Sequence, residues 1–110
     1  MDEQLKKCIE ECLKCLEECN HCYDACLKED NIDMVRDCIR LTRECAEICT
    51  FAANAMTRNS PYMKEICALC ALICEACAEE CKKHAEHHEH CKKCAEACER
   101  CAKACRSFAV

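Results

Sequence analysis

Cysteine fills 19 of the 110 positions, and its spacing carries most of the chemical content of the chain. The stretch CIEECLKCLEECNHCYDAC sets Cys8, Cys12, Cys15, Cys19, Cys22 and Cys26 at steps of 4, 3, 4, 3 and 4. An α-helix turns once in about 3.6 residues, so all six thiols fall on one stripe. The same phase recurs at Cys38, Cys45 and Cys49, at Cys67, Cys70, Cys74, Cys77 and Cys81, and at Cys91, Cys94, Cys98, Cys101 and Cys105. A disulfide scaffold is the weaker reading of this pattern. The count is odd, and the opening MDEQLKK has no apolar leader core, which points to a reducing cytosol. Thiols three or four apart on a helix have Cβ atoms about 5–6 Å apart, beyond the roughly 3.5–4.5 Å that a disulfide prefers.

Core filling explains the array no better. A buried free cysteine behaves as a small hydrophobe, but each replacement of Leu or Ile gives up about 0.8 kcal/mol per missing CH₂. Over 19 positions that loss rivals the stability of an ordinary domain. The array is there for sulfur chemistry, and three metals compete for it. Zinc takes four ligands, usually from C-x-x-C units brought together by loops. Here the six C-x-x-C units lie in helices, and the second segment offers only Cys38, Cys45 and Cys49, so four-thiol layers are expected at three levels at most, leaving most thiols unused. Iron–sulfur clusters need a local four-cysteine cage, which a continuous ladder does not suggest. Copper(I) is soft, selects thiolates and tolerates low coordination numbers. Eight C-x-x-x-C units, from Cys8/Cys12 to Cys101/Cys105, suit an ion held between successive turns. With each sulfur shared by two ions, capacity approaches about one Cu(I) per cysteine. Each cation also replaces the proton of the thiol it binds, so charge balances.

Presenting such stripes to one another takes helices. Helix one is expected over Asp2–Lys28, and helix two from an Asp30 or Asn31 cap to about Thr57. Helix three is expected from Pro61, with Ser60 as its cap, and helix four carries Cys91 to Phe108. The stretch KKHAEHHEHCKK keeps the helical phase and holds neither Gly nor Pro. One unbroken helix is conceivable there, and its histidines, mediocre helix formers, favour a turn. The fold class is therefore all-α: an antiparallel up-down four-helix bundle with a cysteine-lined core, forming a single domain over residues 1–110. A second apolar line, Ile9, Leu13, Leu16 and Leu27 on helix one and Ile66, Leu69 and Ile73 on helix three, is expected to pack helix against helix.

The net charge of -5 gives no basic stripe for nucleic acid. No run approaches the roughly 18 apolar residues of a membrane span. No catalytic triad or acid–base carboxylate pair stands out, so a binding protein is expected rather than an enzyme. Glycine is absent, a trait of consensus or redesigned helical sequences.

Against this background the chain resembles the four-helix-bundle copper storage proteins. The likeness runs through CIRLTRECAEIC, SPYMKEICALCALICEAC and the histidine-rich stretch before CKKCAEAC, and extends over nearly the whole length. Without an export leader it is similar to the cytosolic branch. The resemblance implies a turn at the histidines, a homotetramer of bundles, and multiple copper(I) ions on the core cysteines. Lys82 and Lys83 follow Cys81 without a glycine, a departure from the family's third turn.

His84, His87, His88 and His90 cluster at one end, either as receivers of incoming copper or as a solvated polar turn. That end also gathers Lys28, Glu29, Asp30 and Asn31. Leu5, Phe51, Met56, Tyr62, Met63, Phe108 and Val110 are expected to plug the other. His21 is expected at the surface, and Met56 and Met63 as core filler. A zinc or mixed-metal thiolate sink, akin in purpose to metallothionein, and an engineered bundle without a metal role remain the alternatives.

Overall fold

The computed structural model describes residues 2–109. Four helices follow one another: α1 (Glu3–Leu27), α2 (Ile32–Thr57), α3 (Met63–Lys82) and α4 (Glu89–Ala109). Each neighbours the next in a closed square, with α4 returning beside α1, and the bundle measures 44 × 19 × 17 Å. The antiparallel sense of the closing pair is fixed at both ends. Gln4 Nε2 donates to the Ser107 carbonyl at 3.1 Å, and Glu29, just past α1, meets His90 at the start of α4.

The turns explain the boundaries. Asp2 caps α1 by accepting from the Leu5 N–H at 2.7 Å, and Asn31 caps α2 by accepting from Met34 at 3.3 Å; such caps satisfy amides that the helix leaves unpaired. Helix α3 begins at Met63, later than the Ser60–Pro61 signal suggests. The end of α2 accounts for the delay. Asn59 takes φ 57°, while Ser60 N–H reaches back to Ala55 O and Asn59 N–H to Met56 O. That closure, with Asn in the left-handed position, commits Ser60 to finishing one helix before the next can start. Between α3 and α4 the chain does turn, through residues 83–88. No residue there has positive φ, and successive short bonds, His84 N–H to Cys81 O and His87 N–H to His84 O among them, reverse the chain without glycine.

Packing between helices differs from the expected aliphatic seam. Ile9, Leu16, Ile66 and Ile73 pack partly buried against the core, but Leu13, Leu27 and Leu69 stand about half exposed. Alanine takes over their work: Ala46, Ala53, Ala71, Ala78, Ala95 and Ala102 are all buried beside the thiols. Small side chains let the helices approach closely, which is what brings sulfur to sulfur across the axis. Glu11, 5% exposed, is the one buried charge among the described residues; Lys7 on the same helix at 3.3 Å and Arg100 across the α1–α4 seam at 3.9 Å compensate it.

Candidate metal centre

All 19 cysteines are free and fully buried. Antiparallel register sets them in rungs. Between α1 and α4, Cys8 faces Cys105 at 3.6 Å, Cys12 faces Cys101 at 3.6 Å, Cys15 faces Cys98 at 3.7 Å, Cys19 faces Cys94 at 3.7 Å and Cys22 faces Cys91 at 4.0 Å. Between α2 and α3, Cys45 faces Cys74 at 3.5 Å and Cys49 faces Cys70 at 3.8 Å. Along single helices Cys15/Cys19, Cys22/Cys26, Cys70/Cys74 and Cys94/Cys98 lie at 3.8–3.9 Å. Sulfurs thus meet across helices as closely as along them.

This crowding corrects the expectation that four-thiol groups are scarce. Cys12, Cys70, Cys101 and Cys105 form one quartet, and Cys15, Cys45, Cys49 and Cys74 another. Cys15, Cys19, Cys45 and Cys98 form a third, and Cys19, Cys77, Cys94 and Cys98 a fourth. Within each, all sulfurs lie within 4.8 Å of one another. Cys15, Cys19, Cys45 and Cys98 each serve two of the last three, and Cys49 meets Cys101 of the first at 3.9 Å, so the core is one connected sulfur column. Proton affinity varies from thiol to thiol along the column: hydrogen bonds from neighbouring thiols, Cys101 foremost, pull Cys15 and Cys70 below the ordinary range in spite of burial. Hydrogen bonding with neighbouring thiols, Cys15 foremost, and then burial push the Cys19 and Cys98 protons well above the ordinary range; Cys49 moves the same way, with Cys101 foremost.

The two ends of the column differ. At the first and third turns His90 Nδ1 lies 3.3 Å from Cys22 Sγ, 3.5 Å from Cys91 and 4.0 Å from Cys26, so one histidine joins the last sulfurs in a mixed group. His88 stacks on it with ring centroids 5.2 Å apart, and Glu29 Oε2 touches both, at 3.1 and 2.9 Å. His84 pairs with Glu80 at 3.1 Å. His87, Lys28, Asp30 and Asn31 are exposed, as is His21 on α1. Sequence reasoning placed Glu29 at this end without pairing it with a histidine, and did not single out Glu80. Glu80 was within reach of it, four residues before His84 on a helical face. At the other end Leu5 and Met56 are buried, with Met63 and Phe108 packed partly buried against the core. Phe51, expected in that plug, is exposed because its helical phase turns it outward, Tyr62 is exposed in the turn before α3, and Val110 lies outside the described residues. Grooves along the sides, such as those lined by Glu75, Glu79, Lys82 and Glu99 or by Lys7, Glu11, Arg100 and Lys103, are lined by no cysteine.

Comparison with known proteins agrees with this geometry. The sequence profile described as copper storage protein matches residues 1–110. The chain belongs to the copper storage protein family. It is similar to a Cu(I)-bound copper storage protein, with TM-score 0.93 and 54% identity over 98% of this chain and 100% of that one. The apo copper storage protein 3 of Bacillus subtilis gives TM-score 0.87 and 54% identity over 96% and 98% of the two chains. A cytosolic copper storage protein from Streptomyces lividans holding five coppers gives TM-score 0.94 and 41% identity over 97% and 92%. Curated protein sequences give no match. Family membership places this bundle among copper stores. No helix of the structure is long and apolar enough to cross a membrane.

Proposed function

We propose that the bundle stores Cu(I) on the thiolates of its 19 cysteines, approaching one ion per cysteine, in the cytosol. The observation that carries this reading is the connected column of fully buried thiols with shared quartets. Charge decides between metals. A Cu(I) ion entering a thiol site displaces one proton, leaving the buried core neutral. A zinc ion on four thiolates leaves two negative charges behind in a site cut off from water, which is costly to bury. Reduced protein offered zinc and Cu(I) together should bind copper and release zinc. Retention of zinc in the presence of chelator-buffered Cu(I) points to the thiolate sink instead.

Entry is assigned to the histidine end. Every thiol is covered, and among the described residues His90 is the histidine in contact with the column, so an ion arriving there meets imidazole and then Cys22, Cys26 and Cys91. Exchange between sulfurs less than 4 Å apart carries it inward. Replacing His84, His87, His88 and His90 together by Ala should slow loading and leave final capacity intact; loading at the parent rate rules this entrance out.

The homotetramer implied by the family is the proposed assembly. Leu13 and Leu27 on α1, with Leu69 and Leu72 on α3, are about half exposed and support burial against further copies. Light scattering during size-exclusion chromatography should give four times the chain mass, and a monomer mass would refute the assembly.

A further inference from the structure

One carboxylate oxygen serves two histidines at the mouth. Glu29 Oε2 lies 2.9 Å from Nε2 of His90 and 3.1 Å from Nδ1 of His88. An ionised carboxylate only accepts hydrogen bonds, so each ring nitrogen facing it carries the hydrogen. In a neutral imidazole the other nitrogen is then bare. His90 is left with a bare Nδ1 and His88 with a bare Nε2, so the two stacked rings are opposite tautomers. The bare Nδ1 of His90 is the atom 3.3 Å from Cys22 Sγ and 3.5 Å from Cys91 Sγ. Glu29 itself touches no sulfur among the contacts of the column; its oxygen meets His90 at the ring nitrogen opposite the one that faces the thiols. It leaves α1 in the first turn, while both histidines belong to the third turn and the start of α4, so the contact also ties the two turns together.

We propose that Glu29 is a positioning residue that sets His88 and His90 in opposite tautomers, so that each offers a bare nitrogen to Cu(I) on its way to Cys22 and Cys91. The inference rests on the histidine entrance proposed above. With the opposite tautomer at His90, an N–H would face the thiols and no lone pair would be available to a cation. A carboxylate behind a metal-binding imidazole fixes ring orientation and raises ligand basicity, and its loss costs about 10–100-fold in metal affinity or activity.

The test uses three variants of the full chain. In reduced, copper-free protein, long-range ¹H–¹⁵N correlation spectra of the rings should show Nε2–H at His90 and Nδ1–H at His88. Glu29→Ala should mix the tautomers and slow uptake of the first copper equivalent by about tenfold, with final capacity kept. Glu29→Gln keeps an acceptor oxygen without the charge, and should restore the tautomers and most of the rate. Parent tautomers in Glu29→Ala, or parent-rate uptake once the tautomers are mixed, overturns the role of Glu29. A His88→Ala/His90→Ala double variant separates the two claims. If it is slow while Glu29→Ala is not, only the Glu29 role falls; if both load at the parent rate, the entrance itself is wrong.

Discussion

Sγ of Cys45 on α2 lies 3.5 Å from Sγ of Cys74 on α3, a shorter separation than any of the contacts between thiols four apart on one helix. One turn toward the histidine end, the same register brings Thr42 to the level of Cys77. Thr42 is fully buried, and its hydroxyl donates to the Cys38 carbonyl at 2.7 Å. The sulfur column is therefore interrupted on α2 by a residue of nearly the size of cysteine. Thr42→Cys should add about one ion to the copper content measured after gel filtration. It should change metal-free stability by less than about 1.5 kcal/mol, as for other swaps that conserve volume. A folded variant with unchanged copper content would show that α2 does not limit the ladder.

The metal-free bundle should be helical, since its alanines pack without metal and burial favours the neutral form of a thiol, and its stability should fall in alkali. Cys19, Cys49 and Cys98 hold their protons more tightly when folded, through neighbouring thiols and burial, and eleven of the 19 thiols shift this way against eight, Cys15 and Cys70 among them, that shift down. Unfolded cysteine ionises near about pH 8.5. Above that value the unfolded chain binds fewer protons than the folded one, so stability, complete below it, declines as pH climbs toward the raised folded values. Thermal melts of reduced apo protein between pH 7 and 10 should show a falling Tm. Copper-loaded protein, with its protons already displaced, should show little change. An apo Tm independent of pH would mean that the thiols ionise as readily inside as out.

What could be read from the sequence was what one helix determines by itself. The 3–4 phase placed every cysteine on a buried stripe, and Asn31 was a legible cap. What could not be read depends on how helices meet. Shared quartets such as Cys15, Cys45, Cys49 and Cys74 arise from loop lengths that set cross-helix register, and the outward turn of Leu13 and Leu69 follows from alanines that let the helices close up. His87 and His90 look alike in HAEHHEH. His90 alone begins a helix at the rim of the column, one residue before Cys91, and so reaches sulfur.

The apolar end should matter for stability and not for access. Met56 is 1% exposed, and Met56→Ala should lower the metal-free unfolding free energy by about 2–5 kcal/mol, measured by urea denaturation under reducing conditions. Its copper uptake should keep the parent rate. Faster uptake would relocate the entrance to this end.

The most direct test of the account is stoichiometric. Fully reduced protein is titrated with Cu(I) against a competing chromogenic chelator, and bound copper per chain is counted at the point where the chelator first takes up metal. The sulfur column predicts saturation close to one ion per cysteine, about 19 per chain, as sharing of each thiolate between ions requires. Saturation at about four or five ions, the number that four-thiolate sites would allow, would contradict it.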